Sequence, residues 1–569
     1  MIYSNIVSEN KVREIQKETL NIISNALLKS FGPNGSNTAI IKNIDKNGVN
    51  ISVEYTKDGH TIVKNIEFYN TIERSVQDIL TELTRHIVKK VGDGTTSAIL
   101  LCNTLFNALC EACDSDSNLD PYSLMRQLKD AVDLISKNIL SKKKECTLKD
   151  IYQIAYISTN GNEEIAGTIR EIYKKFGMGV LIDVGISNEV DNIVKEYDGM
   201  TLSTGYSNIC FINEASKNKA TIKNPKIYCF ADPIDTPEML SFLDKIIYDN
   251  ILRCYYNKND MHEPVPTVIF CKSISPDASS YLETVVKLMN ANPGQVPLLI
   301  VSDIHQEYLY EDIAKMCGAP FIKKYLNPDI QNKDIEAGLA PTLNTITTFS
   351  GRADMVQSDQ YKTKIINPVK MFNEDGSYSD DYNNMITYLE AQVQQAINED
   401  AGIEQIARTK RRLNSFKGNM VDFLIGGITV ADRNTLKASV EDAVLNCRSA
   451  AENGVGYGAN YMAFKVLHEL DDKSSFAINI LKNAYDELVK ILYGTVFKDE
   501  NTRDMYIAKS LSIGFPIDFR EKKFNSTVKA SIKSDIVVLE TVTKMLSLMF
   551  TCNQYLLQTP SHNVYTIEN

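Results

Sequence analysis

The chain has 569 residues, too many for one ordinary hydrophobic core, so two to four domains are expected. Its formal charge is −11 and its basic residues are spread along the chain rather than gathered into arms, which argues against nucleic acid or an anionic membrane as a partner. Eleven scattered cysteines and six dispersed histidines without an HExxH motif fit reduced, mostly buried thiols and speak against a catalytic transition-metal site. Cys110 and Cys113 have CxxC spacing, but they fall inside a helical pattern with no second pair to answer them, and are read as helix-face cysteines. The first twenty residues lack a signal-peptide pattern and no stretch approaches eighteen consecutive apolar residues, so a soluble, cytoplasmic protein is expected.

In chain order, residues 11–30 carry apolar side chains at helical spacing and are stopped by Gly32 and Pro33. "NTAIIKN" (37–43) and "VNISVEYT" (49–56) read as strands, and "KDGH" (57–60) as a turn. Helices are expected over 69–91 and from the "GDGTT" stretch (92–96) to about Ala112. From about 150 the pattern is mixed, and beyond 220 short apolar strands ("PKIYCFAD", "PTVIFCK", "VPLLIVSD") alternate with helices at 236–250, 277–290 and 305–317, an α/β arrangement. Residues 340–385, rich in Thr, Asp, Asn, Ser and Tyr, predict loops or an exposed excursion. Helices return at 385–420, 434–453, 459–470, 475–495 and 527–550.

"VGDGTTS" (91–97) is the stretch that suggests chemistry. Free backbone N–H groups and the positive end of a helix dipole favour an anion, and Thr95, Thr96 and Ser97 add hydroxyl donors. The carboxylate of Asp93 would repel a bare phosphate, so it fits best with a divalent cation between them. The alternative is a polar turn with a threonine cap. There is no GxxxxGK[ST], so this is not a P-loop.

Three further stretches join it: "SFGPNGSN" (30–37), "YTKDGHTIV" (55–63) and "VEDAVLNCRSAAENGVGYGAN" (440–460). Together, in order and spacing, they resemble the LGPKG, TKDG, GDGTT, VEDA and GGG motifs of the chaperonins, ATP-driven ring-forming folding machines. With lower fidelity, "ISTNGNEEIAG" (157–167), "DGMTLSTGYSNICF" (198–211), "TPEMLSFL" (236–243) and "YLETVVKLM" (281–289) resemble the intermediate and apical segments of a bacterial-type, 60 kDa chaperonin subunit. The divergence would suit a viral or mobile-element copy.

The resemblance implies a multi-domain subunit: a mainly α-helical equatorial domain (1–141 and 453–569), a small α/β intermediate domain (142–197 and 427–452) and an α/β apical domain (198–426). It implies ATP and Mg2+ as cofactors, with K+ an optional further ion. ATP-binding positions would be Ser30, Phe31, Gly32, Pro33, Lys57, Asp93, Gly94, Thr95, Thr96, Ser97, Gly458 and Ala459, with Asp93 the magnesium ligand. Asp58 and Asp442 match the carboxylates of hydrolysis, Asp442 best placed to orient water; a solvated helix carboxylate is the alternative for Asp442. Positions matching the client surface are Tyr206, Phe211, Leu240, Leu243, Leu282, Val285 and Val286, with packing in the apical core as the alternative. The implied partners are non-native polypeptides and further copies of the chain in a single or double seven-membered ring, with a co-chaperonin left open.

Departures from the family concentrate on one side of the nucleotide. The GGG turn appears as Gly458-Ala459-Asn460, and the late acid that contacts ribose has no clear counterpart, Lys523 or Phe524 standing near its place and Asp518 being the nearest acid. Extra length around 245–265 and 345–385 would act as a lid or alter co-chaperonin docking. The resulting expectation is an ATP-dependent chaperone. A chaperonin-derived holdase or structural ring protein without productive ATPase is the competing reading.

Overall fold

The computed structural model describes residues 4–32, 35–43, 51–115, 119–187, 189–215, 218–253, 263–290, 297–304, 307–322, 350–371, 373, 377–399, 403–417, 419–470 and 475–558. The chain forms two compact units. The first comprises Met1–Gly179, Val184–Ile193 and Phe423–Asn569, and the second Val180–Asp183 and Val194–Asp422.

The first unit begins with β1 (Ser4–Ser8) and α1 (Glu9–Leu28), followed by the antiparallel pair β2 (Thr38–Asn43) and β3 (Ile51–Thr56). The short α2 (Gly59–Lys64) leads to α3 (Thr71–Val91), α4 (Thr95–Ser115), α5 (Pro121–Ser141), α6 (Leu148–Ser158) and α7 (Glu163–Phe176). Local chemistry explains the helix starts: Asp58, Asn70, Asp120 and Asn162 each accept backbone N–H bonds as N-caps, and Thr147 with Asp150 forms a capping box. α5 also has Pro121 in its first turn, where a missing N–H costs nothing. The sequence pattern had not marked α5.

After β4 (Leu181–Ile186) and β5 (Ile193–Leu202), the second unit continues through β6 (Ala220–Lys223), β7 (Lys226–Phe230), α8 (Pro237–Ile247), β8 (Thr267–Cys271), α9 (Pro276–Asn290), β9 (Leu298–Val301), α10 (Glu307–Cys317) and β10 (Phe321–Ile322). β10, β7, β8 and β9 are parallel neighbours with helices between successive strands, the expected α/β arrangement. The expectation of loops over 340–385 is corrected. Its described part holds β11 (Gly351–Ser358) and β12 (Thr363–Pro368), an antiparallel pair that joins β7 and β5. β12 is almost wholly buried, and its polar composition hides this because its one charge, Lys364, is paired internally. The helix expected over 385–420 is two helices, α11 (Asp380–Asn398) and α12 (Ile403–Phe416), followed by β13 (Asn419–Ile425).

Back in the first unit come α13 (Val430–Asn453), β14 (Val455–Tyr457), α14 (Tyr461–Glu469), α15 (Phe476–Gly494), the unanticipated α16 (Glu500–Ile513), β15 (Ile517–Asp518), β16 (Lys523–Phe524), β17 (Lys529–Ser531), α17 (Ile532–Phe550) and β18 (Gln554–Gln558). β18 pairs antiparallel with β1, and β17 with β14. α4 sits in the middle of this unit's core, with Leu100, Leu101, Leu105, Phe106 and Leu109 buried, and packs on α1, α15 and α17. Phe106 meets Phe550 edge to face at 5.8 Å. By length and composition α4 could cross a membrane, yet here it is a core helix.

Lys364 tests the second unit. Its Nζ lies 2.5 Å from Asp183 and 2.6 Å from Asp422, and Lys362 also reaches Asp183 at 2.5 Å. Burial alone would raise the Asp183 pKa, but the two lysines overcome it and hold the carboxyl at about 2. A depressed folded pKa contributes stability above the unfolded value of about 4 that is lost as pH falls towards about 2. Lys364→Ala, which takes the lysine from Asp422 and leaves Asp183 to Lys362 alone, is expected to cost about 3 kcal/mol in chemical denaturation at pH 7, and much less at pH 2.

Candidate functional site

The site starts at the reversal between α3 and α4. Gly92 (φ 72°) caps α3, its N–H bonding the carbonyls of Ile87 and Val88, and Gly94 (φ 92°) precedes α4, its carbonyl accepting the Ala98 N–H at 2.9 Å. Both lie in the left-handed region, and a Cβ at Gly92 would collide with Leu445 of α13. This tight reversal presents Asp93 between the two helices. Its Oδ1 accepts the Gly94 N–H at 2.6 Å and its Oδ2 accepts Asn446 Nδ2 at 3.0 Å.

A cleft of about 300 Å3 opens at the start of α4. One part of its wall is Phe31 and Gly32 after α1, with Asp93, Gly94, Thr95, Thr96 and Ser97. Gly458, Ala459 and Asn460 form another part, and Asn460 Nδ2 donates to Ser97 Oγ at 3.0 Å. Tyr156, Ser158 and Asn160 reach it from the end of α6, and Asp518, Arg520, Lys529 and Asp535 supply charge. Thus Phe31, Gly32, Asp93 to Ser97, Gly458 and Ala459 do converge, while Pro33 lies outside the described residues.

The remaining expected residues border the cleft without lining it. The Ser30 hydroxyl donates to the Leu27 carbonyl and is used up closing α1. Asp58 is the N-cap of α2: it accepts the N–H of His60 and Thr61 and the Thr61 hydroxyl, and Thr95 Oγ1 reaches it at 3.4 Å. Lys57 is half-buried, and burial followed by the charge of Arg520 lowers its pKa.

Asp442, on α13, has its pKa driven well up by burial, then by the charges of Asp58, Asp93 and Glu441. Burial raises Asp93 as well, although its carboxylate faces the open cleft, because protein walls its other sides. Three carboxylates therefore repel one another here. Among the described residues no three His, Cys, Asp or Glu groups converge closely enough to hold a metal by themselves. Asp93 is the carboxylate of this set that lines the cleft, where a hard cation would meet one carboxylate and room for ligand oxygens and water.

Sequence reasoning missed Asn446, Asp535, Tyr156 and Arg520. Asn446 is buried one helical turn beyond Asp442, so the i, i+4 spacing on α13 could have found it. Asp535, in the first turn of α17, accepts the Ala463 N–H at 3.0 Å and is pushed up to about 6 by burial. Lys523 and Phe524 do not line the cleft; Phe524 stacks on Tyr506 with 5.6 Å between ring centroids. The acids on this side are Asp518 and Asp535.

In the second unit, the expected exposed stripe is corrected. Phe211, Leu243, Leu282, Val285 and Val286 are all buried in the core, and Tyr206 and Leu240 are half-buried against it. The positions taken from the family resemblance fall mostly on the inward faces of α8 and α9. The outward side of α8 carries a concavity lined by Leu240, Ser241, Asp244, Lys245 and Tyr248, and Ile209 is 74% exposed.

Comparison with known proteins follows the same lines. The family model of the TCP-1/cpn60 chaperonins matches residues 23–496. The chain is 26% identical over 484 residues to Chaperonin GroEL of Anaplasma marginale (strain Florida), covering 82% of this chain and 79% of the relative. Among solved structures, it is similar to the chaperonin gp146 of bacteriophage EL, crystallised in the presence of ATP-BeFx, at 18% identity. One crystal form gives a TM-score of 0.75 and the other 0.66, each covering 98% of this chain and 99% of that one. The fold is therefore a chaperonin fold over nearly the whole length, mostly helical with a mixed sheet.

The half-buried Asp442 sets a stability test. Its folded pKa lies above the unfolded value, so ionisation opposes folding, and the penalty grows as pH rises from about 4 towards the folded pKa. Asp442→Asn is expected to stabilise the ligand-free protein at pH 7 by about 1 kcal/mol or more relative to its effect at pH 4. Denaturation at the two pH values checks this, and an equal effect at both would contradict the burial argument.

Proposed function

The chain belongs to the TCP-1/cpn60 chaperonin family, and from that premise we propose an ATP-hydrolysing subunit of a homo-oligomeric ring that binds non-native polypeptides and promotes their folding. Family membership implies an ATP-dependent chaperone role. The observation that carries the reading for this chain is the gathering of Asp58, Asp93 and Asp442 about the start of a buried helix whose first turn opens on a cleft. So much negative charge makes sense around a cation-bound phosphate and little sense around an empty turn.

In this reading the nucleotide phosphates lie at the N-terminus of α4, where backbone N–H groups and the hydroxyls of Thr95, Thr96 and Ser97 meet them. Lys57 adds positive charge nearby. Magnesium, held by Asp93, neutralises charge on the phosphates when bound. Asp442 accepts a hydrogen bond from the attacking water and orients it, its raised pKa falling once positive charge enters the cleft. Asp58 fixes α2 and, through it, Lys57 and Thr95, so it acts by positioning. Asn446 holds the Asp93 carboxylate.

The three-domain division fits this scheme: the first unit would hold the equatorial and intermediate parts and the second unit the apical part. For client binding the outward face of α8, with Leu240 and Tyr248, and the exposed Ile209 replace the buried stripe. Non-directional burial of apolar side chains suits clients of many sequences.

Steady-state phosphate release by the full-length protein, with and without an unfolded polypeptide, tests the proposal. Asp442→Asn is expected to lower turnover by about a hundredfold or more while ATP still binds. Hydrolysis equal in parent and variant would refute the assigned role. A parent with no turnover in either condition would favour the holdase reading.

A further inference from the structure

Among the described residues, Arg520 stands in the cleft without a counter-charge. Its backbone is fixed by Asp518, whose Oδ1 accepts its N–H at 2.9 Å. The side chain is half-buried, and its guanidinium lies over the Tyr156 ring, 5.4 Å from the centroid. It also bears on Gly161, where a Cβ would collide with Nη1. Gly161 has φ 87° and donates its N–H to the Tyr156 carbonyl at 2.7 Å, so the end of α6 is shaped around this side chain. Tyr156 in turn stacks on Tyr152 at 6.0 Å, and Arg170 covers the other ring at 5.5 Å, which fixes the plane in which the guanidinium rests.

Among the described residues no carboxylate lies within ion-pairing distance of the Arg520 guanidinium. Its charge is nevertheless felt at Lys57. With Lys57 nearby and Lys529 in the same wall, a guanidinium held in a set plane without a partner among the described residues is unfavourable until an anion arrives. A planar fork suits the paired oxygens of a phosphate better than any other anion the cleft chemistry suggests.

Resting on the nucleotide reading above, we propose that Arg520 binds the phosphates of the bound nucleotide, with Tyr156 and Gly161 holding its guanidinium in place. It supplies positive charge from the segment after β15, a part of the wall where the family resemblance implied only base and ribose contacts.

Direct calorimetric binding of ATP and of adenosine to the full-length parent, Arg520→Gln and Arg520→Lys tests this. Arg520→Gln is expected to weaken ATP by about tenfold or more and leave adenosine within about twofold, with Arg520→Lys between parent and Gln. ATP affinity unchanged in Arg520→Gln, or ATP and adenosine weakened alike, would overturn the assignment. Should Arg520→Gln fail to fold, the ratio of ATP to adenosine affinity in Arg520→Lys decides: a fall supports the assignment and an unchanged ratio overturns it. A parent that binds no ATP overturns the nucleotide reading itself, and the role of Arg520 with it.

Discussion

The burial of α4 is the constraint on which the rest of the first unit depends. Each large apolar side chain it hides contributes about 1.5–3 kcal/mol, and Leu100, Leu101, Leu105, Phe106 and Leu109 are all inside. A helix held that firmly cannot slide, so its first turn, Thr95 to Ser97, is a fixed edge of the cleft. The left-handed Gly92 and Gly94 follow from this. Two buried helices must be joined by three residues, and the close approach of Leu445 leaves no room for a side chain at the first glycine.

Charge is then placed against that edge at the expense of stability. Asp442 is half-buried, feels the charges of Asp58 and Asp93, and offers no gain to the ligand-free fold. Asp535 is likewise pushed up to about 6 by burial, and the charge of Asp93 adds to it. Groups disfavoured in this way cluster at ligand sites, where a bound partner of opposite charge relieves the repulsion. Arg520 and Lys57 are the complement, positive groups whose natural partner is the same ligand.

The motif stretches were legible in the sequence because their chemistry is local. Gly94 to Ser97 form one turn, and a turn can be read from adjacent letters. Asp58 was legible as an important carboxylate but not as the cap of α2, a role that depends on where the helix begins. Arg520 could not be found, since it meets Tyr156 and Gly161 only through a fold that brings together residues more than 350 positions apart. The client stripe, carried over from the family resemblance, failed because a match of letters does not say which face of a helix is exposed. Helical spacing identifies an apolar face, and in a helix lying on a sheet that face is the buried one, as Met239, Phe242, Leu243 and Ile246 of α8 demonstrate. β12 escaped because a strand containing Thr, Lys and Asn looks exposed until Lys364 is seen paired with Asp183 and Asp422.

The glycine turn bears on the family comparison in the same physical terms. Where related chains carry three glycines, this one has Ala459 at φ 61° and Asn460 at φ 58°. The left-handed conformation is therefore kept although alanine disfavours it by about 1–2 kcal/mol. Asn460 tolerates it better and uses its side chain to bond Ser97, which ties the turn to the fixed end of α4. The turn thus depends on a tertiary hydrogen bond for what glycine supplies by itself. Ala459 lines the cleft, so its methyl group is part of the wall's surface.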